Sequence, residues 1–244
     1  MSDVREVLEK AYKELAVKDF PDGDRIRFIA ELGASDDIDY HYKLICDSWK
    51  SGRRLYLENS FDRHGSDGLE FLFKKISEAE DEVIKVLTEY LIAEILSKSR
   101  HRDFYAGFCK RLIPILIYEI KTCDEVLRRK LIIALGFVAS SKDIEFLTRQ
   151  MLSDDDALCR VWSASSLMQM SFHGVSKEEV CEASKDAFAK VLSEEKDIQA
   201  CGLILESVQT LYGKKWVSSS AVDDVDEAKI EKGRKSALRF LSKL

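Results

Sequence analysis

Residues 66–92, SDGLEFLFKKISEAEDEVIKVLTEYLI, are written again 75 positions later as SKDIEFLTRQMLSDDDALCRVWSASSL at 141–167. Six positions are identical without a gap: Ser66/Ser141, Glu70/Glu145, Phe71/Phe146, Leu72/Leu147, Asp81/Asp156 and Val86/Val161. Leu69/Ile144, Lys74/Arg149, Ile76/Met151 and Lys85/Arg160 are conservative. Each copy has apolar residues at helical spacing on either side of a polar, aspartate-bearing turn, the pattern of two antiparallel helices. A lone helix pair cannot bury its apolar face, so a chain that writes such pairs repeatedly is expected to stack them.

The rest of the chain agrees with an all-helical reading. Two prolines and eleven glycines in 244 residues are too few for the many turns of a sandwich or barrel, whereas Ala, Leu, Glu, Lys and Arg favour helix. The periodicity predicts helices at about 2–17, 24–35, 36–51, 66–77, 81–98, 103–121, 124–139, 142–152, 156–171, 177–193, 197–212 and 226–243. Pro114 predicts a kink inside the 103–121 segment. The stretch SGRRLYLENSFDRHGSDG (51–68) reads as irregular between its flanking helices. DRIRFIAELGAS (24–35) matches LRRKLIIALGFVAS (127–140), both ending at Leu-Gly before small residues. We therefore expect residues 1–212 to be one array, with 66–172 matching best, then a polar linker at 213–228 and a basic helix at 229–244.

Three turns align on Asp81, Asp124 and Asp156, in steps of 43 and 32 residues, so the 75-residue echo spans two units. Position +2 is Val83, Val126 or Leu158, and position +4 is Lys85, Arg128 or Arg160. Positions +10 and +11 are Leu91-Ile92, Ala134-Leu135 and Ser166-Leu167. An aspartate at a helix N-terminus accepts unpaired backbone N–H groups, which stabilises the helix by about 0.5–2 kcal/mol. The basic residue at +4 is expected to pair with its own aspartate or with that of the next repeat, a ladder that sets the stacking register.

This pattern resembles the HEAT-like repeat family, including the repeats of bilin-lyase-type proteins, and DEVLRRKLIIALG (124–136) matches it best. The second repeat lacks the glycine, and the third has Ser166 in place of the usual alanine. The resemblance covers 66–172 well, 24–50 and 177–212 loosely, and the tail not at all. It implies a right-handed α-solenoid of about five to six stacked antiparallel helix pairs, followed by a C-terminal amphipathic helix. Such scaffolds serve many roles, so the resemblance implies a fold more than an activity.

The sequence shows no catalytic constellation. None of His41, His64, His101 and His173 lies in HExxH or pairs with another at i, i+4, and GxGxxG, GxxxxGK[ST] and GxSxG are absent. The six cysteines form no CxxC and no zinc-ligand spacing. Cys109 and Cys159 are the thiols a lyase-like reading would use. Ser153–Asp156 lacks the glycine and the final glutamate of a calcium loop. Asp81, Asp124 and Asp156, on successive repeats, are expected to lie too far apart to share an ion. We accordingly expect no cofactor, no metal and no catalysis.

Charge narrows the partner. The net charge is −6, but residues 213–244 carry eight basic and five acidic side chains, which leaves −9 on residues 1–212. That balance argues against a general nucleic-acid binder and favours a protein partner, one option being a basic partner steered by the acidic body. A charged, amphipathic start and no long apolar run fit a cytoplasmic protein with no membrane segment. The remaining face of each second helix follows +6, +9 and +13: Leu87, Tyr90 and Glu94, then Lys130, Ile133 and Phe137, then Trp162, Ser165 and Gln169. Tyr90, Phe137 and Trp162 supply aromatic anchors for a concave groove. The expected function is a non-catalytic interaction scaffold, one form being a toxin-neutralising immunity-type protein. The competing expectations are a lyase-like or DNA-repair-like enzyme or accessory, and a nucleic-acid binder acting through the last helix.

Overall fold

A computed structural model describes residues 2–121 and 124–244; Cys123 lies outside the described residues. All regular structure among them is helical. The order is α1 (Ser2–Val17), α2 (Asp22–Ala34), α3 (Ile38–Ser51), a 3-10 helix (Leu57–His64), α4 (Gly65–Glu78), α5 (Glu82–Lys98), α6 (Tyr105–Ile120) and α7 (Glu125–Val138). A short 3-10 turn (Ser141–Asp143) then leads into α8 (Ile144–Ser153), α9 (Ala157–Phe172), α10 (Lys177–Glu194), α11 (Ile198–Tyr212), α12 (Ser219–Asp223) and α13 (Glu227–Leu241). The 75-residue echo therefore sets α4–α5 against α8–α9. The α6 helix continues through Pro114.

Where the sequence suggested one array, the chain divides into two compact units, residues 1–95 and 96–244. In the first, Arg5 on α1 forks onto Asp37, with Nε 2.7 Å from Oδ2 and Nη2 2.8 Å from Oδ1. Asp37 also caps α3 by accepting from the Tyr40 N–H at 3.1 Å. The 51–68 stretch, expected to be irregular, holds the 3-10 helix, and Leu57, Ser60 and Phe61 are buried. His41 is wholly buried among these residues. Its Nε2–H donates to the Leu57 carbonyl at 2.8 Å, so Nδ1 accepts from Nε2–H of His64, also at 2.8 Å. Burial, first of all, pulls the His41 pKa down to about 4, and the Leu57 carbonyl opposes this only in part. His41 is thus a neutral core residue.

The second unit is layered. Helix α9 packs against α7, α8 and α11; α8 packs against α10, and α6 against α7. Helices α7 and α9 run parallel. At their N-terminal ends Arg129 meets Asp156 at 2.6 Å. Midway the Ser166 hydroxyl donates to the Ile132 carbonyl at 2.8 Å, and at their C-terminal ends the rings of Phe137 and His173 lie 5.6 Å apart.

The Leu-Gly signature has a direct cause. A Cβ on Gly136 would stand 2.7 Å from the Cβ and Oγ of Ser166. A Cβ on Gly33 would stand 2.7 Å from the Cβ and carbonyl oxygen of Ser60. The Ser60 hydroxyl donates to the Ile29 carbonyl at 2.5 Å, four residues before Gly33. Ser166 reaches Ile132, four residues before Gly136, in the same way. Both copies therefore spend a glycine to let a serine-bearing segment dock backbone-close, which leaves no room for a methyl group.

The segment expected to be a polar linker is folded. Val217, Ala221 and Val222 are buried, α12 is capped by Ser218, and Gln209 holds the Trp216 and Val217 N–H groups at 2.9 and 3.1 Å. Helix α13 packs on α10 and α11. It buries Ile230, Gly233, Ala237 and Leu241. Arg234 donates to the Leu192 carbonyl and, through Nη2, to the Glu195 carbonyl at 2.8 Å. The basic tail is docked on α10 and α11.

Candidate functional site

The three aligned aspartates all cap helices. Asp81 accepts from the Ile84 N–H at 3.1 Å. Asp124 accepts from the Val126 and Leu127 N–H groups at 2.9 and 3.0 Å, and Asp156 from that of Cys159 at 2.7 Å. Asp37, Asp197 and Asp226 do the same for α3, α11 and α13. These carboxylates are occupied by backbone donors, and among the described residues no three His, Cys, Asp or Glu side chains gather as metal ligands.

Arg128 and Arg160 fork onto acids other than the aligned aspartates. Arg128 forks onto Asp154, with Nε and Nη2 each 2.9 Å from an oxygen. Arg160 forks onto Glu195 at 2.7 and 2.8 Å. Asp154 and Glu195 each stand two residues before the next capping aspartate, and each also accepts the N–H of that aspartate at 3.0 Å. The cap Asp156 is taken by the +5 residue, Arg129, at 2.6 and 2.8 Å.

These pairs shift the acids. Hydrogen bonds from Arg129, opposed by burial, hold Asp156 well below the usual carboxylate range. For Glu195 burial is the largest influence and opposes ionisation, but the Arg160 hydrogen bonds and the Asp197 N–H outweigh it and lower its pKa.

The sequence-derived face residues fall into two sets. Leu87, Tyr90 and Glu94 lie half-buried on α5 in the first unit. In the second unit, Lys130, Ile133 and Phe137 lie on α7 and Trp162, Ser165 and Gln169 on α9, all at least partly open to solvent. Neighbouring positions buried on α9 are Cys159, Val161, Ser163, Ala164, Ser166, Leu167 and Met170. One open stripe of the helix is formed by Leu158, Trp162, Ser165, Gln169 and Phe172; Ala157, Arg160, Met168 and Ser171 are partly open beside it. Three of these are exposed apolar side chains, Leu158 at 38%, Trp162 at 37% and Phe172 at 64%. On α7, Val126 is 59% exposed at the same register as Leu158. Two parallel, touching helices thus present exposed apolar side chains interspersed with Lys130, Ser165 and Gln169. Val126, Leu158 and Phe172 lie outside the face read from the sequence.

The rim at the helix N-termini is acidic. Asp124, Glu125 and Asp155 are exposed there, and Asp155 remains 95% exposed although it touches Arg128.

The cysteines do not supply a reactive thiol on this face. Burial pushes Cys159 up to about 12. Burial, partly offset by Tyr105 and Arg100, also raises Cys109. Both shifts favour the protonated thiol near neutrality. Among the described residues no helix is long and apolar enough to cross a membrane. Comparison with family models, curated proteins and solved structures gave no match.

Proposed function

We propose that the α7–α9 face is a docking surface for a protein partner and that the chain is a non-catalytic, cytoplasmic interaction scaffold. The layered helix pairs of residues 96–212 are read as turns of a right-handed, HEAT-like α-solenoid, α7, α9 and α11 forming its working layer. The observation that carries the proposal is the set of exposed apolar side chains on α7 and α9: Val126, Leu158, Trp162 and Phe172 are open to solvent. Aromatic side chains with partial exposure are the usual anchors of an interface.

The occupant that fits is a basic segment with an apolar face. Its anchors would lie over Trp162 and Ile133, and its cations would meet Asp124, Glu125 and Asp155 at the rim. Contacts between those cations and the rim carboxylates would make the encounter salt-sensitive. Clamping the basic surface of a toxin is one role this arrangement suits.

Peptide display against the full chain at low salt tests the reading. The expected binders are Lys/Arg-rich with an aromatic or leucine anchor, and weaken steeply from about 50 to about 300 mM salt. Trp162→Ala is expected to lower their affinity by about thirtyfold or more, the loss of an anchor worth about 2 kcal/mol. Acidic binders, or binders indifferent to Trp162→Ala, would overturn the proposal.

A further inference from the structure

The second unit contains a cavity of about 660 Å³ on a different part of its surface, within the roughly 300–1,000 Å³ of small-molecule sites. Its walls come from the first half of α6, the segment leaving the C-terminus of α7, and the turn after α9. Ile113, Pro114, Val138, Ala139 and Val175 are apolar lining residues. Arg100, Lys110 and Lys142 are the cationic ones, and Asp143 is the carboxylate among them. That carboxylate is already engaged, accepting the N–H and hydroxyl of Ser140 at 2.8 Å each. Burial first, then the charge of Arg100, lowers the His173 pKa, so His173 adds no cation near neutrality. The cavity is electropositive in a chain of net charge −6.

Arg100 is the unusual member. Its Nε and Nη2 are shut off from water without a hydrogen-bond partner. Nη1 is the nitrogen that stays open, and it lies so near Gly174 that a Cβ there would stand 3.3 Å from it. Gly174 holds φ at +96°, a conformation that a side chain would strain. A half-desolvated guanidinium with no counter-ion is costly. The C-terminal ends of α7 and α9 offset only part of that cost through their partial negative charge. An anion placed at Nη1 would complete the pairing, with Lys110 and Lys142 at the rim and an apolar wall behind.

We infer that this cavity binds a small amphipathic organic anion, a carboxylate or phosphate ester head on an apolar body, with Arg100 as the head-group residue. The inference is independent of the α7–α9 docking face.

Calorimetric titration of the full chain with octanoate, octyl phosphate, 1-octanol and octylammonium tests it. Both anions are expected to bind, the tighter one identifying the preferred head. 1-Octanol is expected to bind roughly ten- to a hundredfold more weakly, the worth of a charged hydrogen bond, and octylammonium more weakly still. Arg100→Met should reduce octanoate to the level of octanol with the circular-dichroism spectrum unchanged. Lys142→Ala, at an exposed position, should weaken it several-fold without touching the fold. The inference fails if neither anion gives a binding heat, if octanol matches octanoate, or if octanoate affinity survives both substitutions.

Discussion

Arg160→Met is the sharpest probe of how the second unit is held together. In the native chain Arg160 places two nitrogens 2.7 and 2.8 Å from the Glu195 oxygens, and the Glu195 side chain is only 2% exposed against 19% for Arg160. Methionine keeps most of the stem but leaves a buried carboxylate held only by backbone N–H groups, that of Asp197 at 3.0 Å and that of Lys196. Removing one partner of such a pair costs about 3–5 kcal/mol, chiefly the penalty of the uncompensated charge. The penalty should depend on pH. In the native protein Glu195 sits below its ordinary 4.5, so its contribution is complete above that value and fades as pH falls through the folded pKa. In the variant burial acts without the arginine, the pKa rises, and protonation relieves the strain on acidification. Urea melts at pH 7 and near pH 4.5 should show the two proteins converging. Adding Glu195→Gln to the variant should recover much of the pH 7 loss. A pH 7 penalty below about 1 kcal/mol, or a double variant no better than the single, would refute the reasoning.

Gly136→Ala should destabilise by about 1–3 kcal/mol, because its Cβ would meet Ser166 at 2.7 Å; a thermal melt reads this, and a neutral result would deny the close approach of α7 and α9. Trp162→Ala should cost less than about 2 kcal/mol, whereas Phe188→Ala, wholly buried, should cost about 3–5 kcal/mol; equal costs would put Trp162 in the core. Asp37, lowered mainly by its Arg5 hydrogen bond, and Asp156, lowered mainly by Arg129, both start from an ordinary 3.8. Their contributions are therefore intact above about pH 4 and lost below it, so acid unfolding of Arg5→Met and Arg129→Met should begin from a lower plateau at neutral pH and lose less on acidification.

Local signals made the helices readable. Apolar spacing and capping aspartates are properties of short windows, and the predicted bounds fell within about two residues of α3 (Ile38–Ser51), α9 (Ala157–Phe172) and α11 (Ile198–Tyr212). The 3-10 helix was missed although Leu57, Ser60 and Phe61 carry the spacing of three and four, because glycines and arginines around them look like loop. Helix α12 was missed because its few apolar residues sit in a polar window whose burial depends on α11. The arginine pairings were misassigned by two residues. Which carboxylate an arginine reaches depends on the stagger between neighbouring helices, and no single helix records that stagger. Arg100 was invisible for the same reason: its isolation is set by α6 and two distant turns.

The docked C-terminal helix has a consequence for solubility. A stack of like units has an open end by construction, and whatever surface receives the next unit would equally receive another molecule. In the stack proposed for residues 96–212, α13 would cover such an end, Arg234 tying it to the carbonyls that close α10. Removing residues 226–244 would bare Leu205 and its neighbours and, in such a stack, invite head-to-tail polymers. Those nineteen residues would then act as a chain terminator in the polymer chemist's sense.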